Sequence, residues 1–100
     1  HSPVCHLLNL EVEALNPGFA GVSLAATAAM FNPFGTVHGG ILCDLADMAM
    51  GTAFMTTLQP GEGLATIELK INFLRPAREE RLMAEAKVTH RGRTTGYVEC

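Results

Sequence analysis

The alternation of apolar and polar residues predicts strands on both sides of one long helical segment. Leu64–Leu74 alternates and is rich in strand-forming residues, and Leu82–Arg91 alternates in the same way. Asn16-Pro17-Gly18 and Gly92 are typical turn residues and mark strand ends. The pattern therefore predicts an α+β fold. Its predicted order is strand, strand, long helix and three strands, over Asn9–Ala14, Phe19–Ala28, Ile41–Leu58, Leu64–Leu74, Leu82–Arg91 and Thr94–Cys100.

The helical segment Ile41–Leu58 is apolar nearly all round, which suits a helix enclosed by a sheet. Its length approaches that of a membrane span, but Asp44, Asp47 and Gly51 lie within it, and charges are costly at that depth. We therefore expect a core helix and no membrane association, with Pro60-Gly61 ending the helix. The positions at helical spacing are Ile41, Leu45, Met48, Thr52 and Met55.

Composition favours a single domain that associates with itself. The chain has 100 residues, of which 48% are hydrophobic and only 17% charged. A chain this short buries a modest fraction of its surface, so we expect a second copy to cover part of the apolar excess. The formal net charge of −3 provides no electrostatic surface for nucleic acid, and that class of partner is set aside.

The three cysteines, Cys5, Cys43 and Cys100, are far apart in the sequence and indicate neither a disulfide framework nor a structural zinc site. Free thiols are typical of a reducing compartment, and no charged-then-apolar leader is visible, so we expect a cytoplasmic location. Val98-Glu99-Cys100 has the pattern of a strand interior, whose edge would expose unpaired backbone groups. Residues 1–100 are therefore expected to form a single domain that is completed by one more strand.

The residues with the clearest chemical character stand at the approach to the long helix. Asn32 supplies an amide, His38 an imidazole, and Gly39 and Gly40 supply backbone N–H groups where a helix start leaves such donors without partners. Donors of this kind can stabilise a developing negative oxygen. Asp47 follows inside an apolar run, where poor solvation would raise its basicity. The stretch therefore predicts a site for acid–base or nucleophilic chemistry.

These residues and two later stretches resemble one known family. The His38-Gly39-Gly40 motif with Asp47 nine residues after the histidine, together with 66–76 and Gly92-Arg93, is similar to the hotdog fold and more closely to the PaaI-type acyl-CoA thioesterases. The resemblance covers nearly the whole chain from Leu8. It implies a curved antiparallel sheet wrapped around one central helix, with subunits paired edge to edge and dimers often paired again into tetramers. It also implies acyl-CoA hydrolysis, without a metal or another cofactor.

The resemblance implies a role for each matching residue. Asp47 corresponds to the carboxylate that activates water or attacks the thioester directly. Gly39 corresponds to the backbone N–H that points at the thioester carbonyl, and Asn32 to an amide that helps to orient it. His38 matches a histidine whose role varies, and Thr66 falls where some members place a hydroxyl that positions water. Asp44 has no role that the resemblance supplies.

Helix geometry predicts that Gly39 and Asp47 serve different sites. On one regular helix the two residues are separated by about 12 Å of rise, and His38 and Asp47 point to opposite sides. They are therefore unsuited to flanking one carbonyl within the same subunit. A site that needs both combines Gly39 and Asn32 of one chain with Asp47 and Thr66 of another.

Coenzyme A carries phosphates, which call for cations near the mouth of the site. The expected substrate-binding residues are Gly40 and three arginines, Arg75, Arg91 and Arg93. Arg78 is a further candidate for binding phosphate. Each of these arginines is equally compatible with an ordinary surface charge.

Each candidate catalytic residue also has a structural interpretation that the sequence leaves open. Asp47 is compatible with a loop cap or an arginine pair, His38 with a backbone hydrogen bond at the turn, and the glycines with close packing. Asn32 before Pro33 is a common turn device. At the level of function, a non-catalytic acyl-CoA-binding module is the main alternative, and a hotdog dehydratase is a third hypothesis.

Overall fold

The computed structural model describes residues 2–100 and contains a four-stranded antiparallel sheet packed against one long helix. The strands lie in the sheet in chain order, β1-β2-β3-β4. This confirms the predicted α+β hotdog architecture. The elements are α1 (Pro3–Leu8), β1 (Leu10–Asn16), β2 (Phe19–Ala25), a 3-10 turn (Ala28–Met30), α2 (Gly39–Met55), β3 (Arg81–Arg91) and β4 (Gly96–Glu99).

The core lies between α2 and the inner face of β2 and β3. Small side chains on both sides let the helix approach the sheet closely, and the central ones are fully buried. The pairing register shifts at Val12/Ala14 in β1 and at Val88/His90 in β3, and such bulges bend a strand. The sheet therefore curves around one face of α2. The core residues include Ala20, Val22 and Leu24 of β2, Leu45, Ala49 and Ala53 of α2, and Ala84 and Ala86 of β3.

The predicted strand Leu64–Leu74 is wrong for this chain taken alone. Residues 62–80, here called the connecting segment, form neither helix nor strand. A strand needs a neighbouring strand to pair its backbone groups, and in residues 2–100 the connecting segment runs beside α2 and outside the sheet. Its alternation leaves large apolar side chains in the open, with Ile67 85% and Leu74 92% exposed.

The C-terminal end of α2 also differs from the prediction. The helix ends at Met55, and the turn that contains Pro60-Gly61 follows separately, closed by the Glu62 amide donating to the Gln59 carbonyl at 3.0 Å. The hydroxyls of Thr56 and Thr57 donate to carbonyls three residues earlier, each at 2.7 Å, and so compete with the helical pattern. In the part of the chain that the structure describes, none of the helices has the length and apolar character needed to cross a membrane.

On the outer face of the sheet, the ionisation of Glu13 makes the stability of the fold depend on pH. The buried Ser23 hydroxyl donates to its carboxylate at 2.7 Å, and Arg81 lies 3.5 Å away. The Ser23 hydrogen bond, aided by the Arg81 charge and opposed by partial desolvation, lowers the pKa of Glu13 below 4.5. Because the folded-state pKa is lowered, the bond stabilises the fold above pH 4.5, and this contribution is lost as the pH falls through the lowered pKa.

We therefore expect Ser23→Ala to cost more stability at pH 7 than at pH 3. Urea unfolding of the native chain and the variant at both pH values measures the difference. Glu13→Gln is the matched control, since its neutral amide cannot titrate and should remove the same part of the pH dependence. If the free energy of unfolding depends on pH equally in the native chain and in Ser23→Ala, the Ser23–Glu13 hydrogen bond does not control the titration of Glu13.

Candidate functional site

The start of α2 is capped by His38. Its Nδ1 accepts a hydrogen bond from the Gly40 amide at 3.0 Å, and its carbonyl accepts from Ile41 and Leu42. Of the amides in the first turn, only that of Gly39 has no acceptor among residues 2–100. Since Nδ1 accepts, the neutral imidazole carries its proton on Nε2. His38 thus has the structural role left open by the sequence, and Gly39 keeps an N–H available for a ligand.

Asn32 organises the loop that precedes the helix. Its Oδ1 accepts from the amides of Phe34 at 2.9 Å and Thr36 at 3.2 Å, and its Nδ2 donates to the Thr36 hydroxyl at 2.8 Å. This is the turn role that the Asn-Pro sequence suggested. The second Nδ2 hydrogen is not used by these contacts and can still serve a ligand.

Asn32 and Gly39 line one cleft of about 280 Å³ at this end of α2. The Phe73 ring stands against Gly39 so closely that a Cβ added to the glycine would lie 3.0 Å from the ring Cζ. Phe73 lies in the stretch 66–76 that carries the family resemblance, but its alternation with Ile71 predicts only a strand position and gives no sign of this contact. The full lining is Asn32, Thr36, Val37, Gly39, Leu42, Phe73, Leu74, Arg75, Pro76 and Ala77.

Asp47 and Thr66 meet in the middle of α2, although they are 19 residues apart in the chain. The Thr66 hydroxyl donates to Asp47 Oδ1 at 2.7 Å. No arginine pairs with Asp47 within residues 2–100. The expectation of a poorly solvated carboxylate is wrong for the single chain, because the side of α2 that carries Asp47 faces away from the sheet and the residue is exposed.

The candidate residues therefore fall into two separate groups. Asn32, Gly39 and Arg75 share the cleft, whereas Asp47 and Thr66 form a pair further along the helix. Gly39 and Asp47 both belong to the regular helix α2, so about 12 Å of helical rise separates them. One chain does not bring the two groups around a common carbonyl.

The arginines differ in how far they are engaged. Arg91 lies at the opposite end of α2 from the cleft, where its guanidinium stacks 4.9 Å from the Phe54 ring centroid. Its Nε donates to the Thr57 hydroxyl at 2.9 Å, its Nη1 donates to the Gly92 carbonyl, and its Nη2 lies 3.5 Å from Glu62. Arg91 thus ties the end of α2 to the first residue of the connecting segment. Arg75, Arg78 and Arg93 are exposed.

All three cysteines lie in the described chain and none is in a disulfide. Among residues 2–100, no three His, Cys, Asp or Glu side chains lie close enough together to hold a metal ion. The metal-free mechanism and the cytoplasmic location remain predictions, as does a further strand after Cys100.

Comparison with known sequences identifies relatives that align with most of the chain. The sequence model of the thioesterase superfamily matches residues 34–100. Acyl-coenzyme A thioesterase PaaI of Escherichia coli is 37% identical over 92% of this chain, which spans 64% of the length of that relative. The 1,4-dihydroxy-2-naphthoyl-CoA hydrolase of Listeria monocytogenes is 28% identical over 88% of this chain and 72% of its own.

Solved structures of relatives have the same fold. A conserved protein of Pseudomonas aeruginosa superposes with a TM-score of 0.93 at 33% identity, covering 98% of this chain and 78% of that one. The Escherichia coli PaaI protein superposes with a TM-score of 0.86 at 27% identity, covering 98% and 79%. With the family match over residues 34–100 and the 37% identity to PaaI, these likenesses show that the chain belongs to the thioesterase superfamily.

Proposed function

We propose that the protein hydrolyses acyl-CoA thioesters to a free acid and coenzyme A. The observation that carries this proposal is the Gly39 amide, an N–H that has no acceptor among residues 2–100, on a residue that lines a largely apolar cleft. Such a donor suits a carbonyl oxygen that becomes negative during attack. Two relatives, the PaaI thioesterase and the naphthoyl-CoA hydrolase, are named for cleavage of this bond.

The site is formed by two copies of the chain. Gly39 and Asn32 of one copy hold the carbonyl, and Asp47 and Thr66 of the other supply the carboxylate. This arrangement removes the difficulty that the two groups are about 12 Å apart along one helix. It also accounts for the exposure of Asp47 in the single chain, because the second copy would cover that side of α2 and exclude water from it.

The connecting segment supports pairing of this kind. From Leu64 to Leu74 its backbone pairs with no strand among residues 2–100, and its exposed side chains Ile67 and Leu74 are large and apolar. Open backbone donors and exposed apolar side chains mark a surface for association. A second copy laid along this segment would complete the strand that the alternation of Leu64–Leu74 predicts. A further pairing into tetramers is compatible with this dimer.

In the reaction, Asp47 acts on a thioester whose carbonyl oxygen accepts from the Gly39 amide. As a general base, Asp47 removes a proton from water while the water oxygen bonds to the carbonyl carbon. The C–S bond then breaks, coenzyme A leaves as a thiolate that takes up a proton, and the acid remains. As a nucleophile, Asp47 would bond to the carbonyl carbon itself, and the C–S bond would break as coenzyme A leaves as a thiolate. Water would then hydrolyse the resulting anhydride to the free acid and the Asp47 carboxylate, and the proton released would go to the thiolate. No metal ion takes part in either route.

The remaining predicted residues have supporting roles in this proposal. His38 holds the Gly40 amide and so fixes the backbone around the Gly39 donor. Thr66 orients the Asp47 carboxylate through Oδ1 and leaves Oδ2 for water. Arg75 and Arg93 are exposed and available for the phosphates of coenzyme A, whereas Arg91 is already engaged by Thr57 and Glu62.

Release of free thiol from a panel of acyl-CoAs tests the proposed function. The native chain should release coenzyme A in proportion to enzyme concentration. Binding of the same acyl-CoAs, measured by calorimetry in parallel, separates the two classes of function. Binding without thiol release would contradict the proposal and show that the protein is a non-catalytic acyl-CoA-binding module.

A further inference from the structure

We propose that Phe73 limits the size of the acyl group that this protein accepts. This inference rests on the proposed function and adds a specificity-determining residue to it. Phe73 is not part of the carboxylate pair and supplies no hydrogen bond. It acts as a wall beside the donor that holds the carbonyl.

The ring of Phe73 and the Gly39 backbone are in direct contact. A Cβ added to Gly39 would lie 3.0 Å from the ring Cζ and 3.1 Å from Cε2, which is closer than ordinary packing permits. Phe73 and Gly39 also line the same cleft. A carbonyl bound to the Gly39 amide therefore places one of its two substituents next to the aromatic ring.

The chemistry of the cleft suits the acyl substituent better than the coenzyme arm. Val37, Leu42 and Phe73 give it apolar walls. Its two neutral polar side chains, Asn32 and Thr36, are bonded to each other at 2.8 Å. The charged lining residue, Arg75, is exposed, and Asn32 keeps only its second Nδ2 hydrogen for a ligand. The amide-containing arm of coenzyme A would therefore find few hydrogen-bond partners inside the cleft, whereas a hydrocarbon group needs none.

Because the cleft is small, the Phe73 ring limits the length of the acyl group that the cleft can hold. A volume of about 280 Å³ is just below the usual range of ligand pockets, which run from about 300 to 1,000 Å³. Phe73 is 54% exposed, so the ring is not locked into the core and its removal enlarges the cleft without opening a buried cavity. Shortening this side chain should therefore admit longer acyl groups.

The test uses a series of straight-chain substrates of increasing acyl length: acetyl-, butanoyl-, hexanoyl-, octanoyl- and decanoyl-CoA. We expect Phe73→Ala to raise the ratio of kcat/KM for decanoyl-CoA to that for butanoyl-CoA by about 10-fold or more, and Phe73→Leu to raise it less. The ratio is independent of the concentration of folded enzyme, so partial unfolding does not imitate the result. Tyr97→Ala is the matched control, because Tyr97 is an exposed aromatic residue outside the cleft and should leave the ratio unchanged.

An unchanged ratio in both Phe73 variants, with the native chain active, would overturn the role of Phe73 and leave the proposed function intact. An equal rise in KM for every acyl-CoA would also overturn it, since it would place the coenzyme arm in the cleft. Loss of all activity in both variants would assign Phe73 to the fold or the catalytic geometry instead. A native chain that cleaves none of the five substrates would overturn both proposals.

Discussion

Replacing Asp47 with Asn should lower the rate of thioester cleavage by about 10²-fold or more while the protein still folds and assembles. The two side chains are nearly the same size, but the amide can neither accept a proton from water nor attack a carbonyl. The amide oxygen still accepts a hydrogen bond from the Thr66 hydroxyl, which lies 2.7 Å from Oδ1. Because Asp47 is exposed on α2, the substitution leaves the packing of the core unchanged.

The matched control is Asp44→Asn, which removes the same charge one helical turn earlier. Asp44 is also exposed on α2, but no hydroxyl contacts it in the described chain. The control should keep near-native thiol release and report any effect of charge alone on the helix. Near-native turnover in Asp47→Asn combined with a loss in Asp44→Asn would identify Asp44 as the working carboxylate.

The sequence predicted those elements whose signals are local. Alternation in Leu82–Arg91 predicted one strand, and the turn residues Asn16-Pro17-Gly18 marked the end of another. The structure contains β3 and the β1–β2 hairpin at those places. The helix was predicted within a few residues, because its apolar period does not depend on distant parts of the chain. Its end was predicted too late, since the hydroxyls of Thr56 and Thr57 stop it before the Pro60-Gly61 turn.

Features that depend on distant contacts could not be read from these patterns. Leu64–Leu74 has the alternation of a strand, but whether it is one depends on a neighbouring strand that residues 2–100 do not supply. The contact of Phe73 with Gly39 joins residues 34 positions apart, and no local pattern reports it. Arg91 was expected to bind phosphate because of its charge alone, and only the fold shows that Thr57 and Glu62 already engage it.

The resemblance to the thioesterase family was needed to pair Asp47 with Thr66. The two residues are 19 positions apart, and neither periodicity nor composition connects them. The structure places them in contact and places Gly39 elsewhere, which is the division that the helix geometry required. The proposed mechanism therefore requires above all that one site draws these two groups from different copies of the chain.

Two inactive variants can be designed for that claim, one for each group. Asp47→Asn removes the carboxylate, and Gly39→Pro removes the backbone donor. Proline is tolerated at the first helical position, and His38, with ψ of 135°, already has the conformation that precedes a proline. Gly39→Ala is the matched control, because it makes the same contact with Phe73 but keeps the N–H. Asn32→Ala is less suitable, since it also removes three hydrogen bonds of the loop.

The decisive measurement is thiol release after Gly39→Pro and Asp47→Asn chains are co-assembled in equal amounts. Each variant alone should cleave the thioester at a rate about 10²-fold or more below that of the native chain. If a site takes its donor and its carboxylate from opposite copies, every mixed dimer holds one intact site. Random pairing into two-fold dimers then restores roughly a quarter of native activity. No recovery of activity, with mixed dimers confirmed by native mass spectrometry, would contradict the shared site, because within one subunit every site would carry a lesion.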